Sequence, residues 1–217
     1  MTTPTQSKKY TDLVIDLETL STRWNATVLS IGYQFFSPLT FEFGPKKEIL
    51  VEYAGLTQQN HHVCNGTKKW WSKQGEDAKR VLTEPNRVAL GEALNILTAD
   101  VVQSSNTDSL EVWGNGSSFD ITIMDFAFRT HLGREAPWRF YNVRDVRTLV
   151  KTGQLFGIEF KANNSFVGVK HNAADDAEHE AKYITDIITS LNSIAYTSPL
   201  ITTKTKMKES HNERVNE

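Results

Sequence analysis

Hydrophobic and polar residues follow a strand-like pattern in the first fifty residues of the chain. Runs rich in β-branched and aromatic residues at 11–17 and 27–36 predict two buried strands, and the alternation at 48–53 predicts a third. Because short connections join antiparallel rather than parallel neighbours, we expect the sheet to begin with antiparallel strands.

The pattern becomes helical over most of the remaining chain. Helices are predicted in five segments, and in the first two and the last of them apolar residues recur at helical intervals. These segments are residues 67–82, 86–104, 119–131, 145–156 and 174–194. Further strands are predicted at 110–113 and 139–143. Strands followed by alternating helices and strands predict an α/β fold of three layers, with a five-stranded sheet of mixed direction between helices.

The composition fits one folded domain. The chain has 217 residues, of which 39% are hydrophobic and 23% charged, and these ordinary values exclude a fully disordered chain. All predicted elements fall within residues 10–196, which we take as the domain. We expect residues 1–9 to be a flexible N-terminus and the polar residues 197–217 to be a disordered tail.

Net charge and hydropathy exclude some kinds of binding partner and some cellular locations. A net charge of −2 excludes a strongly basic surface for nucleic acid, but it permits a phosphate contact bridged by metal ions. No apolar run approaches about 18 residues, so no membrane span is predicted. Residues 1–9 lack a signal peptide's apolar core, and the single Cys64 fits a reducing compartment. We therefore expect a cytoplasmic location, which for a phage-encoded chain is the host's cytoplasm.

Two acidic residues stand at the end of the first predicted strand. Asp16 and Glu18 are two positions apart, so their side chains project from the same face of the strand. Neighbouring carboxylates repel each other unless a cation lies between them, and oxygen-rich clusters suit Mg²⁺ or Mn²⁺. Taken alone, the pair is explained at least as well by a solvated strand end.

Further candidate metal-ligating and catalytic residues follow later predicted strands. Asp120 begins a predicted helix after a glycine-containing turn, Asp176 lies near the start of the last helix, and His171 precedes it by five residues. Each has a simpler explanation, because acids are favoured in the first turn of a helix and most loop histidines have no catalytic role. Their order is more informative, since the ends of these elements can converge on one edge of an α/β sheet.

Together these segments resemble the DEDD superfamily of 3′-5′ exonucleases, in its His-bearing branch. The matching residues are Asp16, Glu18 and Thr19 of the D-x-E-T motif, Asn115, Phe119 and Asp120 of the N-x(3)-F-D motif, and His171 and Asp176 of the H-x(4)-D motif. The segments W-W-x-x-Q at 70–74 and R-D-x-R-T at 144–148 are similar to those of ribonuclease-T-like exonucleases, phage exonuclease A and a mycobacterial exoribonuclease family. The resemblance implies a ribonuclease H-like fold.

A competing third motif is present at residues 141–145. Tyr141 and Asp145 match the Y-x(3)-D motif of the superfamily's Tyr-bearing branch, but Asp145 follows Asp120 by only 25 residues. That interval leaves little room for the intervening elements, so we favour His171 and Asp176. Asp145 is then expected to be structural and paired with Arg144 or Arg147.

The resemblance implies hydrolysis of single-stranded DNA or RNA from the 3′ end to nucleoside 5′-monophosphates. Two Mg²⁺ ions, which Mn²⁺ can replace, are expected to be held by the carboxylates of Asp16, Glu18, Asp120 and Asp176. We expect His171 to take the proton of the attacking water, because imidazole changes protonation near neutral pH.

The expected substrate contacts lie around these motifs. They are Leu17, Thr19 and Leu20 at the strand end, Asn115 and Phe119 in the second motif, and Arg23, Trp24 and Trp71 as a cationic and aromatic surface for stacking. The alternative is a non-catalytic nucleic-acid-binding or polymerase-associated proofreading module on the same fold. The sequence leaves the choice between DNA and RNA open, and the resemblance suggests a homodimer.

Overall fold

The computed structural model describes residues 10–54, 57–159 and 165–197. The flexible segment expected at residues 1–9 lies outside these ranges, and so does the expected tail at 197–217, except for Thr197, which ends the last helix.

A single mixed sheet forms the centre of the described chain. Its spatial order is β3-β2-β1-β4-β5, with antiparallel pairs among the first three strands and parallel pairs from β1 to β4 and from β4 to β5. The strands are β1 (Asp12–Thr19), β2 (Val28–Ser37), β3 (Glu42–Leu50), β4 (Glu111–Gly114) and β5 (Val143–Asp145). The five-stranded sheet of mixed direction is therefore confirmed.

Two strands differ from the predicted bounds. β3 begins six residues before the predicted position 48 because it is an edge strand, where Pro45 and two lysines are tolerated and the apolar alternation is weak. The strand predicted at 139–143 is mostly a 3-10 turn, Phe140–Asn142, and β5 follows it.

Six α-helices cover the sheet in the described residues. They are α1 (Asn65–Trp71), α2 (Glu76–Thr83), α3 (Leu90–Ser104), α4 (Asp120–Ala127), α5 (Val146–Leu155) and α6 (Ala173–Thr197). The single helix predicted at 67–82 is wrong, because the chain turns before Gly75 and starts again as α2. The helix predicted from 86 begins later, since Val88 bridges Val51 at the sheet's edge. None of the described helices is long and apolar enough to cross a membrane.

The two faces of β1 have different partners. Leu13, Ile15 and Leu17 are buried in a cluster with residues of α3 and α4. Val14 points to the opposite face, in a cluster with Ala177 of α6. Because side chains alternate along a strand, Asp16 and Glu18 share the face of Val14 and lie on the α6 side of the sheet.

A glycine allows α6 to begin directly over this part of the sheet. Gly32 of β2 is paired with Asp16, and a Cβ atom at position 32 would lie 2.0 Å from the backbone carbon of Ala173. Only a residue without a side chain permits that approach. The first turn of α6, which carries Asp176, is thereby placed against the carboxyl end of β1.

Candidate active site

Three carboxylates meet at the carboxyl end of β1. Asp16 and Glu18 come from β1 itself, and Glu18 is almost fully buried. Asp120 begins α4 and is buried, and its Oδ1 accepts a hydrogen bond from the backbone N–H of Leu17 at 3.2 Å. This bond ties the start of α4 to β1 and brings the second motif to the first.

The third motif approaches from α6 and the loop before it. His171 has a φ of +65°, a conformation uncommon outside glycine, and its backbone N–H donates to Oδ2 of Asp176 at 2.8 Å. Its Nδ1 lies 3.9 Å from Oε1 of Glu18. Ligand atoms of Glu18, His171 and Asp176 all lie within 4.8 Å of one another, which is close enough to share a metal ion.

Burial and mutual repulsion disfavour the charged forms of these acids. Desolvation is the largest cause that raises the pKa of Asp16 and Glu18 well above the ordinary value, and neighbouring carboxylates raise both further. Burial also raises the pKa of Asp120 to about 7, although the N–H of Leu17 opposes the shift. The pKa of Asp176 is raised by the same desolvation. A bound cation would reduce the repulsion between these carboxylates.

One acidic neighbour was missed by the sequence analysis. Glu180 of α6 is 4% exposed, its Oε1 accepts a hydrogen bond from the Asn115 amide at 2.7 Å, and burial raises its pKa to about 8. Asn115 Oδ1 in turn accepts from Nε of Arg147 at 3.2 Å. The available signal was the four-residue interval from Asp176, which places both acids on one face of the helix.

A pocket opens beside the carboxylates. Its volume is about 400 Å³, and four of the predicted substrate contacts line it: Leu17, Thr19, Trp71 and Phe119. Trp70 on its wall is 42% exposed, and its ring lies 5.0 Å from that of His171. An exposed indole at this position offers a face for stacking.

Two predicted substrate contacts are buried and pack within the protein. Trp71 is 1% exposed, and its indole N–H donates to the backbone oxygen of Thr19 at 2.9 Å, so it supports the end of β1. Leu20 is buried in a cluster with Leu29 and Trp71. A contact of Trp71 or Leu20 with substrate stays a prediction, and the exposed Trp70 is a further candidate contact.

Arg23 and Trp24 occupy the exposed loop after β1. Trp24 is 58% exposed and packs edge-on against Phe126, with ring centroids 5.0 Å apart. A contact of either residue with substrate stays a prediction.

Asp145 has the structural role that was expected, but with other partners. It caps α5 by accepting from the N–H and hydroxyl of Thr148 and from the N–H of Ser117, and these bonds lower its pKa despite partial burial. Arg144 pairs with Glu111 instead, so the predicted pairing of Asp145 with Arg144 or Arg147 is wrong.

The sequence also matches a family model along most of its length. The 3′-5′ exoribonuclease Rv2179c-like domain matches residues 11–188, which include every motif residue described above. The chain belongs to this family. It is therefore a 3′-5′ exonuclease, and the expectation of an enzyme rather than a non-catalytic binding module is confirmed. No curated protein matches the chain.

Solved structures share the exonuclease fold at low sequence identity. The nuclease domain of 3′hExo, a DEDDh family member bound to rAMP, superposes with a TM-score of 0.56 at 11% identity, covering 83% of this chain and 93% of that one. S. pombe Pop2p, in a form bound to Mg²⁺ and Mn²⁺, gives 0.56 at 12% identity and 82% coverage of both chains. E. coli ExoI, in a zinc-bound complex with ssDNA, gives 0.54 at 11% identity, covering 90% of this chain and 42% of that one. The expected ribonuclease H-like fold is thus confirmed.

The donor set of this exonuclease fits divalent metal ions. Carboxylate oxygens are hard ligands of the kind that Mg²⁺ and Mn²⁺ prefer. Burial is the largest cause that raises the pKa values of Asp16, Glu18, Asp120 and Asp176, so a bound cation would favour their charged forms. The residues present therefore suit a metal-dependent nuclease.

Proposed function

We propose that this exonuclease removes nucleotides from the 3′ end of single-stranded RNA and releases nucleoside 5′-monophosphates. The observation that carries the proposal is the convergence of Glu18, His171 and Asp176 within 4.8 Å, next to a pocket large enough for a nucleoside. RNA is chosen because the family is described as exoribonucleases.

Four residues would hold two Mg²⁺ ions, or Mn²⁺ in their place. These residues are Asp16, Glu18, Asp120 and Asp176. Two such ions, when bound, activate the attacking water and neutralise charge on the scissile phosphate and the leaving oxygen. The chain contributes a partly dry site, because Glu18 and Asp120 are buried, and low solvation strengthens their attraction for cations.

His171 is proposed as the general base. The bond of its backbone N–H to Asp176 fixes the loop and leaves the imidazole free to face Glu18, at 3.9 Å. From that position the ring can accept a proton from the attacking water, and packing against Trp70 restricts its motion.

The pocket is proposed to receive the terminal nucleoside. Trp70 and Phe119 offer aromatic surface for a base, and stacking of this kind is tolerant of sequence. The Thr19 hydroxyl donates to the backbone oxygen of Ser21 at 2.7 Å, which shapes the wall beside Glu18. A pocket of about 400 Å³ suits a single terminal nucleoside, which supports cleavage from a free 3′ end.

A cleavage assay on matched RNA and DNA oligonucleotides tests the proposal. We expect 5′-labelled single-stranded RNA to shorten stepwise from its 3′ end in Mg²⁺, to remain intact in EDTA, and to be degraded faster than DNA of the same sequence. A circular RNA of the same composition is the control and should resist. Binding without shortening in Mg²⁺ or Mn²⁺ would contradict the proposed reaction. Faster cleavage of the DNA would contradict the choice of RNA.

Two further expectations stay predictions. A homodimer would give a sedimentation coefficient that corresponds to about twice the 24.6 kDa mass of the chain. A cytoplasmic location would be tested by fractionation of cells that produce the protein.

A further inference from the structure

Glu180 lies on the face of α6 that packs against the sheet. It is one helical turn after Asp176, and its neighbours Ala177 and Ala181 are buried in the cluster that contains Val14 of β1. Asp16 projects from that same face of β1. Glu180 is therefore enclosed between α6 and the carboxylates at the end of β1.

The two oxygens of Glu180 have different surroundings. Oε1 accepts the hydrogen bond from Asn115 at 2.7 Å, and Asn115 is itself oriented by its bond to Arg147. Oε2 is buried and has no hydrogen-bond partner within residues 10–54, 57–159 and 165–197. A buried carboxylate oxygen without a partner is costly, so its retention calls for an explanation.

The groups that face Glu180 are mostly acidic. Asp120 and Asp176 repel the charge of Glu180, and Arg147 partly offsets that repulsion. Among the carboxylates around Asp16, Glu180 repels its charge most strongly. Because Asn115 holds only Oε1, the unpartnered Oε2 can be satisfied only by a proton donor or a cation. The proposed metal centre would supply a cation and, in the water bound to it, a proton donor.

We propose that Glu180 is a fifth acidic residue of the metal centre, whose free Oε2 accepts a hydrogen bond from water hydrating the ion beside Asp16 while Asn115 fixes its Oε1. The inference rests on the proposed function. Glu180 is a positioning residue in this account, because it acts through water and not on the substrate itself. Residues in this outer position typically change metal affinity about 10–100-fold when they are replaced.

Binding of Mn²⁺ to the protein without nucleic acid tests the inference. Glu180→Gln keeps the shape of the side chain and the acceptor for Asn115 but removes the charge. We expect Mn²⁺ affinity, measured by calorimetry and by the electron paramagnetic resonance signal of free Mn²⁺, to fall about 10–100-fold. Glu178→Gln is the matched control on the same helix, because Glu178 pairs with Lys46 and Lys182 outside the site. The control should bind Mn²⁺ as the unmodified protein does.

The possible outcomes separate this inference from the proposed function. If the unmodified protein binds Mn²⁺ and shortens RNA while Glu180→Gln binds Mn²⁺ equally well, the role of Glu180 is overturned and the nuclease proposal stands. If the unmodified protein binds no Mn²⁺, both fail. A melting curve in EDTA checks folding, and Glu180→Asp, which keeps the charge but shortens the side chain, is a second variant expected to have intermediate affinity. Equal affinities of all variants would also overturn the inference.

Discussion

Helix α6 carries two pairs of acidic residues whose environments are opposite. On its outer side, Asp175 and Glu178 both accept from the Lys46 ammonium, at 2.8 and 2.7 Å, and Glu178 also pairs with Lys182. The hydrogen bonds from Lys182 and Lys46 lower the pKa of Glu178. These acids are satisfied by the protein's own cations in contact with solvent.

On the inner side, Asp176 and Glu180 face other carboxylates. Burial raises the pKa of Glu180 to about 8 and raises that of Asp176 as well. Glu178 and Glu180 are the same residue type two positions apart, so the difference between them comes from desolvation and partners and not from the local sequence. Of these two pairs on α6, the pair whose acidic charge is unbalanced lies where a metal ion is proposed to bind.

The largest effect is expected when the inner cluster loses Asp16. Asp16→Asn should lower the single-turnover rate on RNA by about 10⁴-fold, because metal ions supply several kcal/mol of charge stabilisation in the transition state. Glu178→Gln removes one acid from the outer pair and should change the rate less than twofold. Similar losses in both variants would show that the two sides of α6 do not differ in function.

Replacement of His171 separates the base from the metal ligands. His171→Asn is the suitable variant, because asparagine tolerates the positive φ at this position better than other residues. The rate should fall by about 10²–10⁴-fold, and Mn²⁺ affinity should remain close to that of the unmodified protein. A variant with full activity would remove His171 from the mechanism.

The neighbouring residues Trp70 and Trp71 give a comparison of the same kind. Trp71→Ala should lower the free energy of unfolding by about 3–5 kcal/mol, because it empties a buried site and removes the bond to Thr19. Trp70→Ala should leave stability nearly unchanged and weaken RNA binding by about 1–3 kcal/mol through lost stacking. Chemical denaturation measures the stability of both variants, and KM measures their RNA binding. A loss of stability in Trp70→Ala and of RNA binding in Trp71→Ala would contradict the proposed roles of the two residues.

The smallest effect concerns pH in the absence of metal. The pKa values of Asp120 and Glu180 are raised to about 7 and about 8, so the folded protein retains protons that the unfolded chain has lost. The free energy of unfolding should therefore fall as pH rises from about 5 to 8. Melting temperatures in EDTA should decrease over that range, and Mn²⁺ should reduce the decrease. A flat or rising profile in EDTA would count against the repulsive cluster.

Much of the fold could be predicted from the sequence because its central strands are buried on both faces. The runs at 11–17 and 27–36 correspond to β1 and β2, whose residues are almost all buried. The edge strand β3 was placed too late, since an exposed edge with Pro45 imposes little hydrophobic pattern. The end of one helix and start of the next, as near Gly75 between α1 and α2, depends on how short helices pack. Local periodicity in the sequence does not reveal this.

The part of the site formed by residues on one strand or helix was predictable from their spacing in the sequence. Asp16 and Glu18 are brought together by strand geometry alone, and the ends of other elements add Asp120 and Asp176. Sequence could not distinguish Trp70 from Trp71, because exposure depends on which helix face meets the sheet. The four-residue interval from Asp176 places Glu180 on the same helix face, but its hydrogen bond from Asn115, 65 residues earlier in the chain, could not be predicted from the sequence.

Anomalous diffraction from crystals soaked in Mn²⁺ tests the account most directly. We predict peaks enclosed by the carboxylates of Asp16, Glu18, Asp120 and Asp176, and no peak beside the outer acids Asp175 and Glu178. Soaked crystals with no anomalous density among the four inner carboxylates, or with Mn²⁺ bound only by the outer acids, would contradict it.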